Sequence, residues 1–425
     1  MPGNWGKATP GPTSFVEMAR LAGNYAHWHN LVYSAAWLTG RLELAALREA
    51  WRVLCLRHDV MRRAYVSPDE ACTYEDVLTE VEFYTADTDD EALETMRRTL
   101  VGAPFSLDAI GLSRVVVVQC DDRRHLFGIA LDHLITDLTS WNLLVSELGE
   151  LYERVVAGER ISCETEGSDS YQEFATLLRQ EFSGRWGEER RAFWLAYTER
   201  FGTSSPLLPI AGARESEPAL KIVRRALPAD AHSRVRDLAR HARATPFVVV
   251  TSAILAGMKK VTGASSVGVR VAHHGRALPH TAKTLGQFVQ DVPMHLDGEP
   301  GGPLETVRDV FGQSLDVFEY GLPLGIVERS WGLDLTSSIG GHGTHVALDR
   351  SGESFPSSPL AGTQAEPVQL PAPGGHGLAD PLIFAWWLDD ADTRLVVRYD
   401  ESLIATEAVD TIVDVAARFA VSDGR

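Results

Sequence analysis

In the segment Leu126–Trp141, LFGIALDHLITDLTSW, an apolar run from Phe127 to Leu131 leads to a histidine, and an aspartate follows four residues later. His133 and Asp137 are the residues whose types and spacing suit chemistry. An imidazole at the end of a buried strand sits where backbone pairing stops and a substrate can approach. It titrates nearest neutral pH and needs only modest tuning to act as a general base. A carboxylate four positions on, past a short bend, can hold the local backbone or a basic partner in place. The same pair also reads as a hydrogen-bonded histidine beside an N-capping aspartate, and so short a spacing does not choose between the two.

Other residues offer less. His273 and His274 have no aspartate four or five residues on, and read as a strand end or a surface pair. Gly340-Gly341-His342-Gly343 is followed by no helix opening on Lys-Ser/Thr, so it is a turn and not a phosphate cradle. No GxSxG elbow is present, which excludes that serine-hydrolase design. Cys55, Cys72, Cys120 and Cys163 are widely separated and form no CxxC pair, so neither a metal site nor a disulfide framework is expected. A formal charge of −18 argues against nucleic-acid binding, although a local basic patch for an acidic protein partner is compatible with it. There is no apolar run long enough to cross a bilayer and no charged-then-apolar leader at Met1, so a cytoplasmic enzyme with no membrane role is expected.

The elements that must position His133 follow from periodicity. Leu31–Leu42 has strand character, and Leu44, Leu47, Trp51 and Leu54 recur at helical spacing. Asp89–Leu100 reads as a helix. Arg114–Cys120 and His125–Leu131 read as a strand pair around the polar turn Asp121-Asp122-Arg123-Arg124. Thr136 or Asp137 caps the next helix, whose apolar positions include Trp141, Leu144, Leu148 and Leu151. His133 then lies between a strand end and a helix start, a rigid support for a catalytic group.

Further on, Tyr171–Phe201 reads as a helical link packed down by Trp186, Phe193, Trp194 and Tyr197. A second lobe opens near Lys221, and Thr245-Pro246 starts an apolar helix to about Lys260. Strands are expected at Val267–Ala272, Phe288–Leu296, Leu382–Leu388 and Arg394–Tyr399, with helices at Leu304–Phe318 and Thr406–Phe419. Trp386 and Trp387 alternate faces, so at most one lines a pocket. Gly340–Gly377, rich in Gly, Pro and Ser, reads as a long irregular loop. A chain of 425 residues is too long for one ordinary core. The expected division is α/β: an N-terminal lobe over 1–185 carrying the HxxxD loop, and a C-terminal lobe over 186–425.

The stretch around His133 resembles the HHxxxDG signature of the condensation-domain superfamily of nonribosomal peptide synthetases and related CoA-dependent acyltransferases. Gly40–Tyr65 resembles that family's G-x-L-x-x-x-A-L-x-x-A helix and RHxxLR segment, here Arg57-His58-Asp59-Val60-Met61-Arg62. Ala103–Leu107, APFSL, is similar to its PFDL element, and GQFV at Gly286–Val289 with Pro293–Leu296 to its GxFVNTxxxR segment. The resemblance implies two chloramphenicol-acetyltransferase-like α/β sandwich lobes forming a V around a central tunnel. It implies a free-standing condensation enzyme with no bound cofactor. An acyl or peptidyl carrier protein would bring the donor on a phosphopantetheine arm (CoA being the other possible donor), and a small-molecule amine or alcohol would accept it. His133 would deprotonate or orient the acceptor. Asp137, the other half of the catalytic pair, would fix the loop by pairing with an arginine, Arg276 in HHGRALP or else Arg62. Thr336 and Ser337, with Ser338, would lie where a second-lobe strand reaches toward the acceptor.

Two positions depart from the pattern: Asp132 replaces the first histidine and Leu138 the glycine. Asp132 beside the imidazole would favour the imidazolium and raise its pKa, leaving a weaker base at neutral pH, unless strand alternation turns it away. Leu138 would narrow the substrate approach or displace the loop. Asp132, Asp137 and Ser140 also match DxxxxDxxS, the signature of heterocyclisation domains in the same superfamily, which would make them substrate-binding residues. A third reading is a catalytically silent platform that docks a carrier protein or recruits tailoring enzymes.

Overall fold

The computed structural model describes residues 7–22, 31–76, 80–108, 110–163, 170–201, 220–276, 281–299, 301–333, 344–348, 355–370, 382–388 and 393–422. In chain order, the strands are β1 Ala8–Pro12, β2 Leu31–Gly40, β3 Arg63–Tyr65, β4 Glu70–Tyr74, β5 Val81–Thr85, β6 Ser113–Asp121, β7 Arg124–Asp132, β8 Leu220–Ala226, β9 Ser266–His273, β10 Gln290–Asp297, β11 Thr344–Leu348, β12 Thr363–Val368, β13 Leu382–Trp387 and β14 Arg394–Asp400. The helices are α1 Phe15–Ala22, α2 Leu44–Arg57, α3 Asp89–Leu100, α4 Leu138–Val156, α5 Tyr171–Phe182, α6 Arg185–Phe201, α7 Ala231–Ala242, α8 Pro246–Thr262, α9 Pro303–Glu319, α10 Leu324–Trp331 and α11 Thr406–Ala420.

Two compact units result. The first contains Met1–Ser183, Arg276–Val289 and Ser351–Gly375; the second contains Gly184–Gly275, Gln290–Arg350 and His376–Arg425. A single cut at 185 therefore misses two segments that the second half of the chain contributes to the first unit. The expected helix over Tyr171–Phe201 is two helices, broken at Ser183–Gly184 where the units divide. Nor is Gly340–Gly377 a loop throughout. It holds β11, which pairs in parallel with β9 and β13, and β12, which pairs antiparallel with β2. These strands are short, five and six residues, and β12 contains a proline, so partners supply a register that their own pattern does not announce.

The main sheet of the first unit runs β12-β2-β7-β6-β5 among the described residues, with β7 at its centre. The apolar run Leu126–Leu131 is buried on both faces, as a central strand requires. On one face α3 presses so close that a β-carbon on Gly128 would lie 2.7 Å from Leu100 Cδ2 and 2.8 Å from Met96 Sδ. On the other, Phe127 packs on Phe355 with ring centroids 5.0 Å apart, and Trp141 of α4 meets the same ring at 6.0 Å. Phe355 belongs to the Ser351–Gly375 segment, so it joins that segment to the core beneath the strand that delivers His133.

The second unit carries the sheet β10-β9-β11-β13-β14-β8. Thr245 caps α8 by accepting from Val248 N–H, with Pro246 in the first turn, as the sequence signals. The aromatic residues of α6 pack within this unit: Trp194 Nε1 donates to the Tyr320 carbonyl at 3.1 Å, and Phe193 stacks on Tyr320. Trp386 is buried and Trp387 half-buried, with Arg394 over its ring.

Phe355→Ala removes a buried ring from between β7 and α4. It should lower unfolding free energy by about 3 kcal/mol, read as a drop in the urea midpoint with unchanged slope.

Candidate functional site

The site is built on the connection between β7 and α4. Strand pairing of β7 with β2 and β6 ends at Asp132 and Leu131, and α4 begins at Leu138. In between, the Asp132 carboxylate accepts from Leu134 N–H at 2.9 Å and Ile135 N–H bonds back to the Asp132 carbonyl at 3.0 Å, closing a tight turn. This turn presents His133. Asp132 itself is 1% exposed.

His133 Nδ1 lies 2.7 Å from the Thr136 carbonyl oxygen and 2.8 Å from Gln287 Oε1. Both neighbours are acceptors, because the Gln287 amide nitrogen donates to the Val289 carbonyl at 2.9 Å and so fixes which end faces the ring. The proton of the neutral imidazole therefore sits on Nδ1, and Nε2 keeps its lone pair. The residue is half-buried, with protein packed closely around the ring. That burial pushes the imidazole down to about 4, and the positive charge of Arg20 acts in the same direction. The Thr136 bond and the Asp137 charge oppose it without prevailing. The rise expected from a neighbouring Asp132 carboxylate is not found: the direction is downward, and the ring is neutral at pH 7.

Asp137 is the cap, as one of the two sequence candidates. Its Oδ1 accepts from Ser140 N–H at 2.7 Å and from Arg276 Nη2 at 3.2 Å; its Oδ2 accepts from the N–H groups of Phe288 at 3.0 Å and Val289 at 3.3 Å. With its oxygens engaged in this way and 1% exposure, it holds the loop in place. Arg276 is the arginine that pairs with it. The guanidinium also reaches the carbonyls of Thr281 and Thr284 and lies over the Phe288 ring. Arg62 is elsewhere, donating to the carbonyls of Cys55 and Leu56 at the end of α2, where unpaired helix carbonyls need donors, and to that of Tyr74 in β4.

Ser140, a substrate-binding candidate in the sequence, is 1% exposed and internally bonded. Its hydroxyl donates to the Gly286 carbonyl at 2.6 Å and accepts from Arg276 Nη2 at 2.7 Å and Gly286 N–H at 3.1 Å. One donor and two acceptor places are thereby filled. Leu138 is 44% exposed, and Asp137 keeps its bonds beside it, so the leucine does not displace the loop. Thr336, Ser337 and Ser338 lie outside the described residues.

Several contributors carry no sequence signal. Gln287, 0% exposed, stands in the GQFV stretch with nothing of its own to single it out. Tyr171 OH donates to the Gln287 carbonyl at 2.6 Å and meets Ser14 Oγ at 2.9 Å. Glu17 and Arg63, an ion pair at 3.0 Å with both side chains buried, hold Tyr65, whose hydroxyl touches Glu17 and the Leu134 carbonyl. Their separations in sequence run from tens of residues to more than a hundred, beyond any local pattern.

Gly286 has φ +153°, and a β-carbon there would lie 2.1 Å from Tyr171 Cδ2. Gly286→Ala should therefore shift Gln287 off His133, with a loss of about 2 kcal/mol or more in stability. Denaturant titration checks the stability, and imidazole 15N shifts check whether His133 keeps its Nδ1 proton.

The family profile described as Condensation domain matches residues 19–334. Tyrocidine synthase 2 of Brevibacillus parabrevis is 26% identical over 295 residues, covering 67% of this chain and 8% of that protein. The chain spans only 4–11% of the length of the curated relatives it matches. Among solved structures, the condensation domain of monacolin K polyketide synthase superposes with a TM-score of 0.75 at 15% identity, covering 98% of both chains. The X-domain from teicoplanin biosynthesis, in complex with OxyB, gives 0.77 at 16% identity, covering 97% of this chain and 94% of that one. At these identities the structural likeness speaks for the mixed α/β fold alone. The profile match covers well over half of the chain: it belongs to the condensation domain family.

Proposed function

We propose that this chain is an acyltransferase that joins an acyl thioester, carried on the phosphopantetheine arm of an acyl or peptidyl carrier protein, to a small-molecule amine or alcohol. Family membership supports amide formation in natural-product biosynthesis as the reaction class. The observation that carries the reading to this chain is His133 Nε2, a lone pair held by a locked tautomer at the end of a rigid strand.

The steps follow from that lone pair. The acceptor nitrogen or oxygen attacks the thioester carbonyl, forming the new bond while the carbonyl electrons move to oxygen. Nε2 takes the proton from the attacking atom. The oxyanion then re-forms the carbonyl, the carbon–sulfur bond breaks, and the thiolate recovers the proton from the imidazolium. Holding both reactants beside Nε2 supplies much of the acceleration, and the base contributes about 100-fold or more. Asp137, Arg276, Ser140 and Gln287 keep the imidazole in place throughout.

Heterocyclisation finds no support in the site, because Asp132, Asp137 and Ser140 are buried and bonded within the protein. A docking platform draws support from the fold likeness to an X-domain in complex with OxyB, and from the departures at Asp132 and Leu138. The presented lone pair of His133 favours catalysis.

Intact-protein mass spectrometry of an acyl-loaded carrier protein, supplied as a separate chain with candidate acceptors, decides between these readings. Wild type should release the acyl group into an amide or ester, and His133→Ala should slow this about 100-fold or more. With an alcohol acceptor, kcat should fall as pH drops through about 4, where Nε2 gains a proton, and not near 6.5. A carrier bound yet left acylated by both proteins would select the platform.

A further inference from the structure

Gln287 is pinned at three points. Its Oε1 faces His133 Nδ1 at 2.8 Å, its Nε2 donates to the Val289 carbonyl at 2.9 Å, and its own carbonyl accepts from Tyr171 at 2.6 Å. It lies between Gly286, bonded twice to Ser140, and Phe288, whose N–H is held by Asp137. Nothing about a spacer residue requires such fixation; an orienting acceptor for a base does.

The charge of that acceptor matters as much as its place. Both oxygens on Nδ1, from Thr136 and Gln287, are uncharged. The charged groups that bear on the ring are Arg20 from α1, which opposes protonation, and Asp137 at the start of α4, whose oxygens bond Ser140, Arg276, Phe288 and Val289. The Asp132 carboxylate is turned to Leu134 N–H. A carboxylate on Nδ1 would stabilise the imidazolium and strengthen the base; a neutral amide orients without doing so.

Acceptors differ in what they ask of a base. An amine attacks with its own lone pair, and the proton becomes strongly acidic once nitrogen carries positive charge, so a weak base suffices afterwards. An alcohol must lose its proton as the carbon–oxygen bond forms, so its rate depends on base strength. We infer that Gln287 is the positioning residue of His133 and that, as an uncharged orienter, it biases this site toward amine acceptors over alcohols. This rests on the acyl-transfer reading and names the acceptor class for it.

The test pairs 2-phenylethylamine with 2-phenylethanol as acceptors for an acyl-loaded carrier protein, using wild type, Gln287→Glu and Gln287→Leu across a pH series. Wild type should form amide faster than ester. Gln287→Glu should move the acid limb of kcat to higher pH and raise the ester-to-amide ratio about tenfold. Gln287→Leu should lower kcat for both acceptors, with KM for the carrier unchanged. Imidazole 15N spectra, assigned with His133→Ala, should show one Nδ1-protonated form in wild type and a tautomer mixture in Gln287→Leu. An acid limb and product ratio unmoved by Gln287→Glu overturn the inference, as does an Nε2-protonated ring in wild type. If the spectra agree but wild type converts neither acceptor, the acyl-transfer reading falls and the acceptor bias with it, while the tautomer assignment stands.

Discussion

The site depends on one buried carboxylate. Asp137 offers two oxygens and receives donors from Ser140, Arg276, Phe288 and Val289. An unpaired carboxylate so deeply buried would be costly, and these donors, one of them cationic and one at a helix N-terminus, offset that cost. The same bonds bring together pieces of chain that share no neighbourhood in sequence: the start of α4, an arginine 139 positions away, and the strip through Gly286–Val289. Gln287 lies inside that strip. Its reach to His133 follows from the position of its neighbours, so the tautomer of the histidine is downstream of a carboxylate to which the ring makes no hydrogen bond of its own.

A second buried charge pair supports the turn from below. Glu17 and Arg63 bond to each other with 0% and 1% of their surfaces exposed, and between them they orient Tyr65. Tyr65 reaches the Leu134 carbonyl, and Tyr171, linked through Ser14 to the start of α1, reaches the Gln287 carbonyl. Buried ion pairs add little net stability, because desolvation offsets attraction. What this one supplies is direction, a hydroxyl strut on each of the two segments whose separation sets the His133–Gln287 distance.

How much of this was legible in the sequence follows from the range of each interaction. The strand Leu126–Leu131, the turn at Asp121–Arg124 and the helix after Asp137 are local, and hydrophobic period and capping chemistry reveal them. Asp137 as the cap was one of two candidates for the same reason. Arg276 came from the family resemblance and not from spacing, since a guanidinium has no local partner to betray its role. Gln287 was invisible, because its bond to His133 spans 154 positions and a glutamine beside two apolar residues suggests nothing. The membership of Ser351–Gly375 in the first unit was hidden too. The strand in it, TQAEPV, has no apolar alternation and takes its register from β2.

The departures at Asp132 and Leu138 show that a motif and the placement of a lone pair are different things. A motif names residues, whereas a base needs a placed lone pair. Asp132 closes the turn through Leu134 N–H and does so from a buried position, and Leu138 begins α4 with its side chain outward. Neither alters the acceptors on His133 Nδ1. A histidine so oriented is neutral down to about pH 4 and keeps its proton on the same nitrogen, at the expense of basicity. That combination suits a reaction in which the proton is shed after bond formation, and it suits activation of water poorly. Weak basicity at a well-fixed nitrogen is therefore coherent with the proposed acyl transfer, and neither altered motif position removes a bond to the ring.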